Sequence, residues 1–321
     1  RLGGERLRAE VALADALEGC ELWAESIHAA PGDVFDVQEA IAIRVAGAIA
    51  SEIELAEQRR ARLAPFASLD AWSAYHLGCW HMYRFTAGDY EIAERCFERA
   101  IALDPTSSRA LAGLSFVHWQ RAFLEISTDR AAEVARALDL AVRSLDADPH
   151  DPLAHWAFGR ARLLQGEVDD AVASLDVTTQ LNPSFAVGQY TLGFAQMQAG
   201  DLDAGIERAD RARRLSPYDP LAFAMIGLRA FSLGLRGEVA EAASQMACAI
   251  RQPHAHYHMV AMAAVCDVLD DRGEAARRDW GRLRALRPGY DARAFLRAFR
   301  LQRPVHVATV EKAFARLERL G

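Results

Sequence analysis

The stretch that decides the fold consists of two consecutive copies of one pattern. Residues 151–183 read DPLAHWAFGRARLLQGEVDDAVASLDVTTQLNP, and residues 184–217 read SFAVGQYTLGFAQMQAGDLDAGIERADRARRLSP. Pro149, Pro183 and Pro217 follow one another at intervals of 34 residues. Such a period, with proline at each boundary, is typical of a repeated pair of α-helices, because proline ends one helix and is tolerated in the first turn of the next.

Small residues at matching positions support the same interpretation. Two helices of a pair can cross closely only where no bulky side chain lies between them. The first copy places Gly159 and Ala171 at the two crossing positions, and the second copy places Gly193 and Gly205 there. The pattern resembles the tetratricopeptide repeat, in which successive helix pairs stack into a right-handed solenoid.

Outward from these two copies the pattern continues, and it predicts about six helix pairs over residues 61–288. The other boundary prolines are Pro105, Pro253 and Pro288. Pro105 and Pro149 are 44 positions apart, which exceeds the period by ten. We therefore expect an extended connection at residues 122–129. The predicted fold class is mainly α, a tetratricopeptide-type solenoid.

The pattern changes after Pro288, where residues 289–321 form two amphipathic stretches. They predict helices at about residues 291–301 and 306–320, with a polar break at residues 300–304. A solenoid needs an end cap that covers its last apolar face and presents polar residues to water. We predict that this segment is the cap.

The first 60 residues have a different character. Residues 6–14 and 21–29 predict the two strands of a hairpin, with a turn at residues 15–20. A helix is predicted after Pro31 and Gly32, from its apolar residues at spacings of three and four. These apolar residues are Phe35, Val37, Ile41, Val45, Ala48, Ile49 and Ile53. A hairpin and one helix cannot bury both faces of a sheet, so we predict the remnant of an α/β domain.

This segment resembles the end of a TolB-like domain over about residues 5–57. The matching residues are Leu22, Trp23, Ala24, Glu25, Asp33, Phe35, Val37, Gln38, Glu39 and Ile41. In bacterial signalling proteins such a domain lies between an amino-terminal output domain and tetratricopeptide repeats. The resemblance implies that the output domain is a winged-helix DNA-binding domain or a class III adenylate or guanylate cyclase. Because Arg1 falls within a strand pattern, we expect this chain to be the carboxy-terminal part of such a protein.

Composition limits the classes of partner. The chain has 321 residues, of which 51% are apolar and 25% charged, and its net charge is −7. A nucleic-acid-binding segment normally carries a basic patch, so we expect no nucleic acid to be bound here. No apolar run approaches the roughly 20 residues that cross a bilayer. The five cysteines form no C-x-x-C pair, which predicts free thiols and a cytoplasmic location.

The inner face of the solenoid is the predicted binding site. The resemblance to tetratricopeptide proteins implies that the second, fifth, ninth and twelfth positions of each repeat face the ligand. These positions hold Leu153, Trp156, Arg160, Leu163, Val187, Tyr190, Phe194, Met197, Leu221, Ala224, Leu228 and Phe231. Repeats that capture a peptide carboxylate carry Lys and Asn there, and this chain has neither. The groove suits an amphipathic helix or a segment of the chain itself, unless neighbouring repeats or a second copy cover it.

No sequence motif indicates catalysis or a bound cofactor. There is no G-x-S-x-G motif and no phosphate-binding G-x-x-x-x-G-K-[ST] motif. His254, His256 and His258 are weak candidates for a metal site, since His254 and His258 have the i, i+4 spacing of zinc ligands on a helix. The alternative is a solvated helix start, and we predict no metal and no cofactor.

We therefore predict a non-catalytic protein-interaction or sensory module of a bacterial transcriptional regulator. It would bind a protein or peptide partner in the groove, form a homodimer, or do both. The alternatives are the regulatory end of an adenylate or guanylate cyclase and a stand-alone scaffold.

Overall fold

The computed structural model describes residues 7–14, 21–29 and 34–320 of the chain. Strands β1 (Leu7–Ala14) and β2 (Glu21–Ala29) pair antiparallel, with an irregularity between Leu13 and Ala14. The predicted strands are thereby confirmed, while the predicted turn at residues 15–20 lies outside the described residues. Helix α1 (Val34–Leu63) follows and contacts both β2 and the first helix of the solenoid.

Helix α1 runs past residue 60, where the sequence places a domain boundary, and ends at Leu63. A short 3₁₀ turn (Phe66–Ser68) connects it to the solenoid. The Arg99 guanidinium fixes this connection, because its Nη2 donates to the backbone oxygens of Ala67 at 2.8 Å and Leu69 at 2.7 Å. The three domain limits at residues 1–60, 61–288 and 289–321 stay predictions.

Twelve helices then form six pairs, as the sequence predicts. Each pair consists of an inner helix and an outer helix, and the inner helices are the even-numbered ones. The pairs are α2 (Ala71–Met82) with α3 (Ala87–Leu103), α4 (Ser108–Phe123) with α5 (Arg130–Ala147), α6 (Pro152–Gln165) with α7 (Val168–Leu181), α8 (Ala186–Ala199) with α9 (Leu202–Leu215), α10 (Ala222–Arg236) with α11 (Val239–Ala249), and α12 (Tyr257–Leu269) with α13 (Gly273–Leu286).

The small residues at the helix crossings have the predicted effect. A Cβ atom on Gly159 would lie 2.6 Å from Cγ of Leu175, and one on Gly193 would lie 2.7 Å from Cβ of Arg208. Either contact is too short for two carbon atoms. Glycine at these positions therefore allows α6 to approach α7, and α8 to approach α9, closely enough to bury their shared faces.

The second pair is larger than its neighbours, as its long period predicts. Helices α4 and α5 have 16 and 18 residues, whereas α6 and α7 have 14 each. The connection between α4 and α5 covers residues 124–129, within the predicted interval. At its turn end, the Phe123 backbone oxygen bonds to His258 of the last pair.

The inner helices curve until the first two pairs meet the last two. The ring centres of Phe85, in the turn of the first pair, and Phe223, on α10, are 5.6 Å apart. His258 on α12 bonds to the backbone oxygen of Phe123 at the end of α4. The solenoid therefore encloses a central space instead of leaving an open trough.

Two helices follow the last pair, and the segment between them departs from the prediction. Helix α14 (Ala292–Ala298) ends before Phe299, and α15 (Pro304–Leu320) packs on α12 and α13. In the predicted polar break Leu301 is buried, whereas Gln302 and Arg303 are exposed. The backbone N–H groups of Arg300 and Gln302 both bond to Gln198 on α8, so this segment packs against the end of that helix.

Candidate functional site

The predicted groove positions lie inside the solenoid. Leu153 is partly exposed, and the other eleven side chains are between 0 and 8% exposed. The groove is thus covered, by opposing repeats and by residues 299–303. Arg160, Tyr190, Phe194, Leu221, Ala224 and Leu228 line a central pocket. Trp156, Leu163, Val187, Met197 and Phe231 do not line it.

Several pocket residues were missed from the sequence. They lie on or next to α4, α10 and α12, in the connection after α2, and directly after α14. They are Phe85, Phe116, Trp119, Gln120, Phe123, Leu124, Phe223, His256, Met259, Met262 and Phe299. A signal was present for two of them. Counting from Ser108 as the first residue of α4 makes Phe116 and Trp119 the ninth and twelfth positions. The irregular length of the second pair concealed this register.

Arg160 carries the one permanent charge among the residues that line the pocket. Its side chain is 4% exposed, and its guanidinium carbon lies 3.8 Å from the ring centre of Trp119 and 4.5 Å from that of Phe116. Nη1 donates to Thr191 Oγ1 at 3.2 Å, and Nε has no hydrogen-bond partner. Aromatic faces attract the cation but do not neutralise its charge.

Burial is the main cause of the pKa shifts of the pocket residues. Burial lowers the pKa of Arg160 to about 10, and the Tyr190 and Tyr83 hydroxyls oppose that decrease. Burial raises the pKa of Tyr190, against the effect of Arg160. Burial, and then the neighbouring His258, lower the pKa of His256 well below its ordinary value. At neutral pH the pocket therefore holds a cationic Arg160, a neutral Tyr190 and a neutral His256.

Two further polar atoms of the pocket residues are buried without a partner. Gln120 donates from Nε2 to the Met82 backbone oxygen at 3.3 Å, but its Oε1 accepts no hydrogen bond. Nδ1 of His256 also lacks a partner, and the His256 ring is surrounded by Phe123, Phe223 and His258 at 5.4–5.9 Å. Buried polar atoms in folded proteins usually have partners, so these atoms are available to hydrogen-bond a molecule bound in the pocket.

The histidine cluster does not converge as a metal site. His254 is exposed, whereas His258 is 1% exposed with both ring nitrogens engaged. Within the described ranges no group of three His, Cys, Asp or Glu side chains is placed to hold a metal ion. The alternative of a solvated helix start is wrong for His258, which is buried among aromatic rings, whereas His256 is partly exposed at the start of α12.

Residues 299–303 pack against the carboxy-terminal ends of α6 and α8, with Gln302 and Arg303 exposed. The Phe299 ring lies 6.0 Å from Phe123, 6.0 Å from Phe194 and 5.4 Å from His258. Gln198 accepts from the Arg300 N–H through Oε1 and from the Gln302 N–H through its backbone oxygen, each at 2.8 Å. The segment is therefore held by the Phe299 ring, by backbone hydrogen bonds to Gln198 and by the Arg300 side chain, whose Nη2 donates to the Leu164 backbone oxygen.

Other features of the described part of the chain are simpler. Cys79, Cys96, Cys248 and Cys266 are free thiols. Among the helices of residues 34–320, none has the combination of length and apolarity needed to cross a bilayer.

Comparison with known proteins supports the fold more strongly than the function. No family model matches the chain. The chain is 23% identical over 171 residues, 53% of its length, to "Putative adenylate cyclase 3" of Rhizobium meliloti (strain 1021). It spans only 29% of the length of that relative.

Among solved structures, a chain of the APC/C hetero-tetramer Cut9–Hcn1 matches with a TM-score of 0.53 and 12% identity, covering 77% of this chain and 53% of that one. PilF of Pseudomonas aeruginosa matches with a TM-score of 0.48 and 18% identity, covering 70% of this chain and 94% of that one. A tetratricopeptide repeat protein of Parabacteroides merdae matches with a TM-score of 0.45 and 16% identity, covering 77% of this chain and 93% of that one. The fold is that of a tetratricopeptide-type solenoid.

Proposed function

We propose that this chain is a non-catalytic interaction module that binds an extended segment of a protein partner across the carboxy-terminal ends of α6 and α8. One observation carries the proposal: residues 299–303 of the chain itself already occupy that surface. The partner segment would displace them. Solenoids of this fold commonly use their concave surface to bind other proteins.

The contacts of the internal segment define the chemistry of the partner. Two backbone N–H groups bond to Gln198, and any extended peptide offers such groups. Selectivity comes from the aromatic anchor at Phe299 and from the Arg300 guanidinium, whose Nη2 donates to the Leu164 backbone oxygen at 3.0 Å. The partner segment would therefore present an aromatic residue followed directly by a basic one, in an extended backbone.

Competition by a labelled peptide of residues 297–303 (RAFRLQR) tests this function. The full chain should bind the peptide weakly, because its own segment fills the site. Phe299→Ala weakens the attachment of the internal segment to its site. The variant should therefore bind the labelled peptide at least tenfold more tightly than the unaltered chain, as measured by fluorescence anisotropy. Adding Gln198→Ala should reduce that gain, whereas Gln180→Ala, on the exposed face of α7, should not.

Folding must be checked because Phe299 is buried. Circular dichroism should show the same helical signal in each variant, and Phe299→Leu offers a milder change if the alanine variant unfolds. A folded variant that binds no peptide, or that binds it equally with and without Gln198, would exclude this site as a partner groove.

A second candidate is the regulatory region of a bacterial nucleotide cyclase. It is supported by the match to the protein named as an adenylate cyclase, which extends over about half of this chain. The alternative of a winged-helix transcriptional regulator rests only on the resemblance of residues 5–57. The coding sequence upstream of Arg1 distinguishes them: a cyclase catalytic domain supports the former, and a basic recognition helix supports the latter.

The remaining expectations belong to the same proposal. We propose that the module lies in the cytoplasm, binds no nucleic acid and can self-associate. A gel-shift assay of the chain at physiological salt tests the second expectation, and tight sequence-specific DNA binding would contradict it. Sedimentation of the chain over a range of concentrations tests the third.

A further inference from the structure

The central pocket is lined by several buried polar atoms that have no hydrogen-bond partner. Arg160 Nε, Gln120 Oε1 and His256 Nδ1 belong to three different inner segments, and all three lack hydrogen-bond partners. All three side chains line the same pocket. Three such atoms at one cavity offer hydrogen-bonding partners to a bound molecule, because each polar atom left unpaired in the interior is unfavourable.

The charge on Arg160 also lacks a partner. A guanidinium stays protonated in proteins, so burial cannot remove its charge. No ion pair within the described residues includes Arg160, although 19 other pairs are formed there. A buried charge is normally paired with an opposite charge. An anion in the pocket would supply the missing partner.

We propose that this pocket binds a small organic monocarboxylate. Its carboxylate would pair with the Arg160 guanidinium, and its apolar body would lie against Phe123, Phe194 and Leu228. The proposal goes beyond the partner groove and does not depend on it, because the ligand would sit beside Phe299 while the internal segment remains in place.

The pocket also limits the ligand. Its walls are mainly aromatic and aliphatic, and Arg160 is the one cationic side chain among them. A dicarboxylate or a phosphate ester would bring charge that nothing there balances. The cavity has a volume of about 40 Å³, well below the ~150 Å³ of an apolar cavity that holds benzene. A carboxylate with a chain of about two or three carbons is therefore the largest body that fits without displacing Phe299.

Calorimetric titration of the full chain with acetate, propionate and benzoate tests the proposal, with acetamide and propionamide as neutral controls of matching shape. We expect propionate to bind at least tenfold more tightly than propionamide, and acetate to bind more weakly than propionate because it covers less of the apolar walls. Benzoate should bind more weakly than propionate, because its ring exceeds the cavity. Arg160→Gln should reduce carboxylate binding at least tenfold.

The matched control is Arg162→Gln on the same helix. Its guanidinium lies over Phe158 and pairs with Asp170 at 3.3 Å, away from the pocket residues. It should bind carboxylates as the unaltered chain does. If Arg160→Gln does not fold, Arg160→Lys retains a cation without the planar fork, and is expected to retain part of the selectivity for acid over amide.

Two results would overturn the proposal. Equal binding of acids and amides would show that the pocket recognises only apolar bulk. No binding of any acid by a folded chain would show that Arg160 serves only as a fixed cation among Trp119, Phe116 and Trp156. Neither result bears on the peptide competition, so the two proposals fail separately.

Discussion

Nε2 of His258 lies 2.9 Å from the backbone oxygen of Phe123, although the two residues are 135 positions apart. A carbonyl oxygen only accepts, so Nε2 carries the proton. Nδ1 therefore accepts from the Tyr290 hydroxyl at 2.7 Å. Phe123 is the last residue of α4, where a helix leaves carbonyl groups without partners. One neutral imidazole thus joins the second helix pair to the sixth.

This arrangement makes the fold sensitive to acid. Burial is the main reason that the pKa of His258 falls to about 3, whereas an unfolded histidine titrates near 6.5. A depressed folded-state pKa gives stability that is complete above pH ~6.5 and is lost as the pH falls toward 3. Between pH 7 and pH 5 we expect a loss of about 2 kcal/mol from this group.

Urea unfolding at both pH values measures the effect. His258→Gln retains a donor and an acceptor but cannot titrate, so its stability should fall less between pH 7 and pH 5 than that of the unaltered chain. His150→Gln, on the surface, should leave the pH dependence unchanged. Identical pH dependence in all three proteins would contradict the role of His258.

The sequence predicts the helix pairs well because each repeat is a local unit. The prolines at 34-residue intervals and the glycines at the crossings act within one pair or between neighbours. Closure of the solenoid is different, since it depends on small rotations added over six pairs. Contacts such as His258 with Phe123 therefore had no sequence signal.

The sequence likewise predicts only part of the candidate site. Positions counted within a repeat located Arg160, Tyr190 and Phe194, and these line the pocket. The same count could not show that residues 299–303 cover the groove. That segment reads as polar in the sequence. Its position depends on the Phe299 ring and on hydrogen bonds that no side-chain pattern indicates.

Removal of the Phe299 ring should destabilise the chain strongly. Phe299 is 2% exposed and lies 4.4 Å from Phe295, ring centre to ring centre. Truncation of such a residue to alanine leaves a cavity and costs about 3–5 kcal/mol. Phe66→Ala is the control, since Phe66 is 46% exposed, and should cost less than about 1 kcal/mol. Equal losses in urea unfolding would show that residues 299–303 are loosely attached.

Two glycines in similar backbone conformations test whether residues 299–303 pack against the end of α8. Gly200 and Gly237 both end an inner helix, with φ of +100° and +105°. Alanine is strained by that backbone at either position. At Gly200 the new Cβ would also collide with Cγ of Arg303, whereas nothing lies within 4 Å at Gly237. We expect Gly200→Ala to cost at least about 1 kcal/mol more than Gly237→Ala.

Arg303→Ala completes the cycle. Without the Arg303 side chain, the two glycine substitutions should have nearly equal effects on the free energy of unfolding. A difference that persists in the Arg303→Ala background would mean that the extra strain at Gly200 comes from elsewhere, and that Arg303 does not pack there.

A buried carboxyl pair gives the opposite pH dependence from that of His258. Asp267 on α12 and Asp279 on α13 are 5% and 3% exposed. Burial, followed by the charge of Asp279 and a hydrogen bond to it, raises the pKa of Asp267 to about 6. A raised folded-state pKa gives stability that is complete below the ordinary value near 3.9 and is lost as the pH rises through 6. Asp267→Asn supplies a permanent N–H donor toward Asp279 without the charge.

We therefore expect Asp267→Asn to be more stable than the unaltered chain at pH 8. The advantage should shrink as the pH falls to 5, where the native Asp267 holds its own proton. Asp146→Asn, at an exposed position of α5, should show no such trend. Urea unfolding across this range is the measurement, and a stability difference that does not change with pH would mean that Asp267 does not share a proton with Asp279.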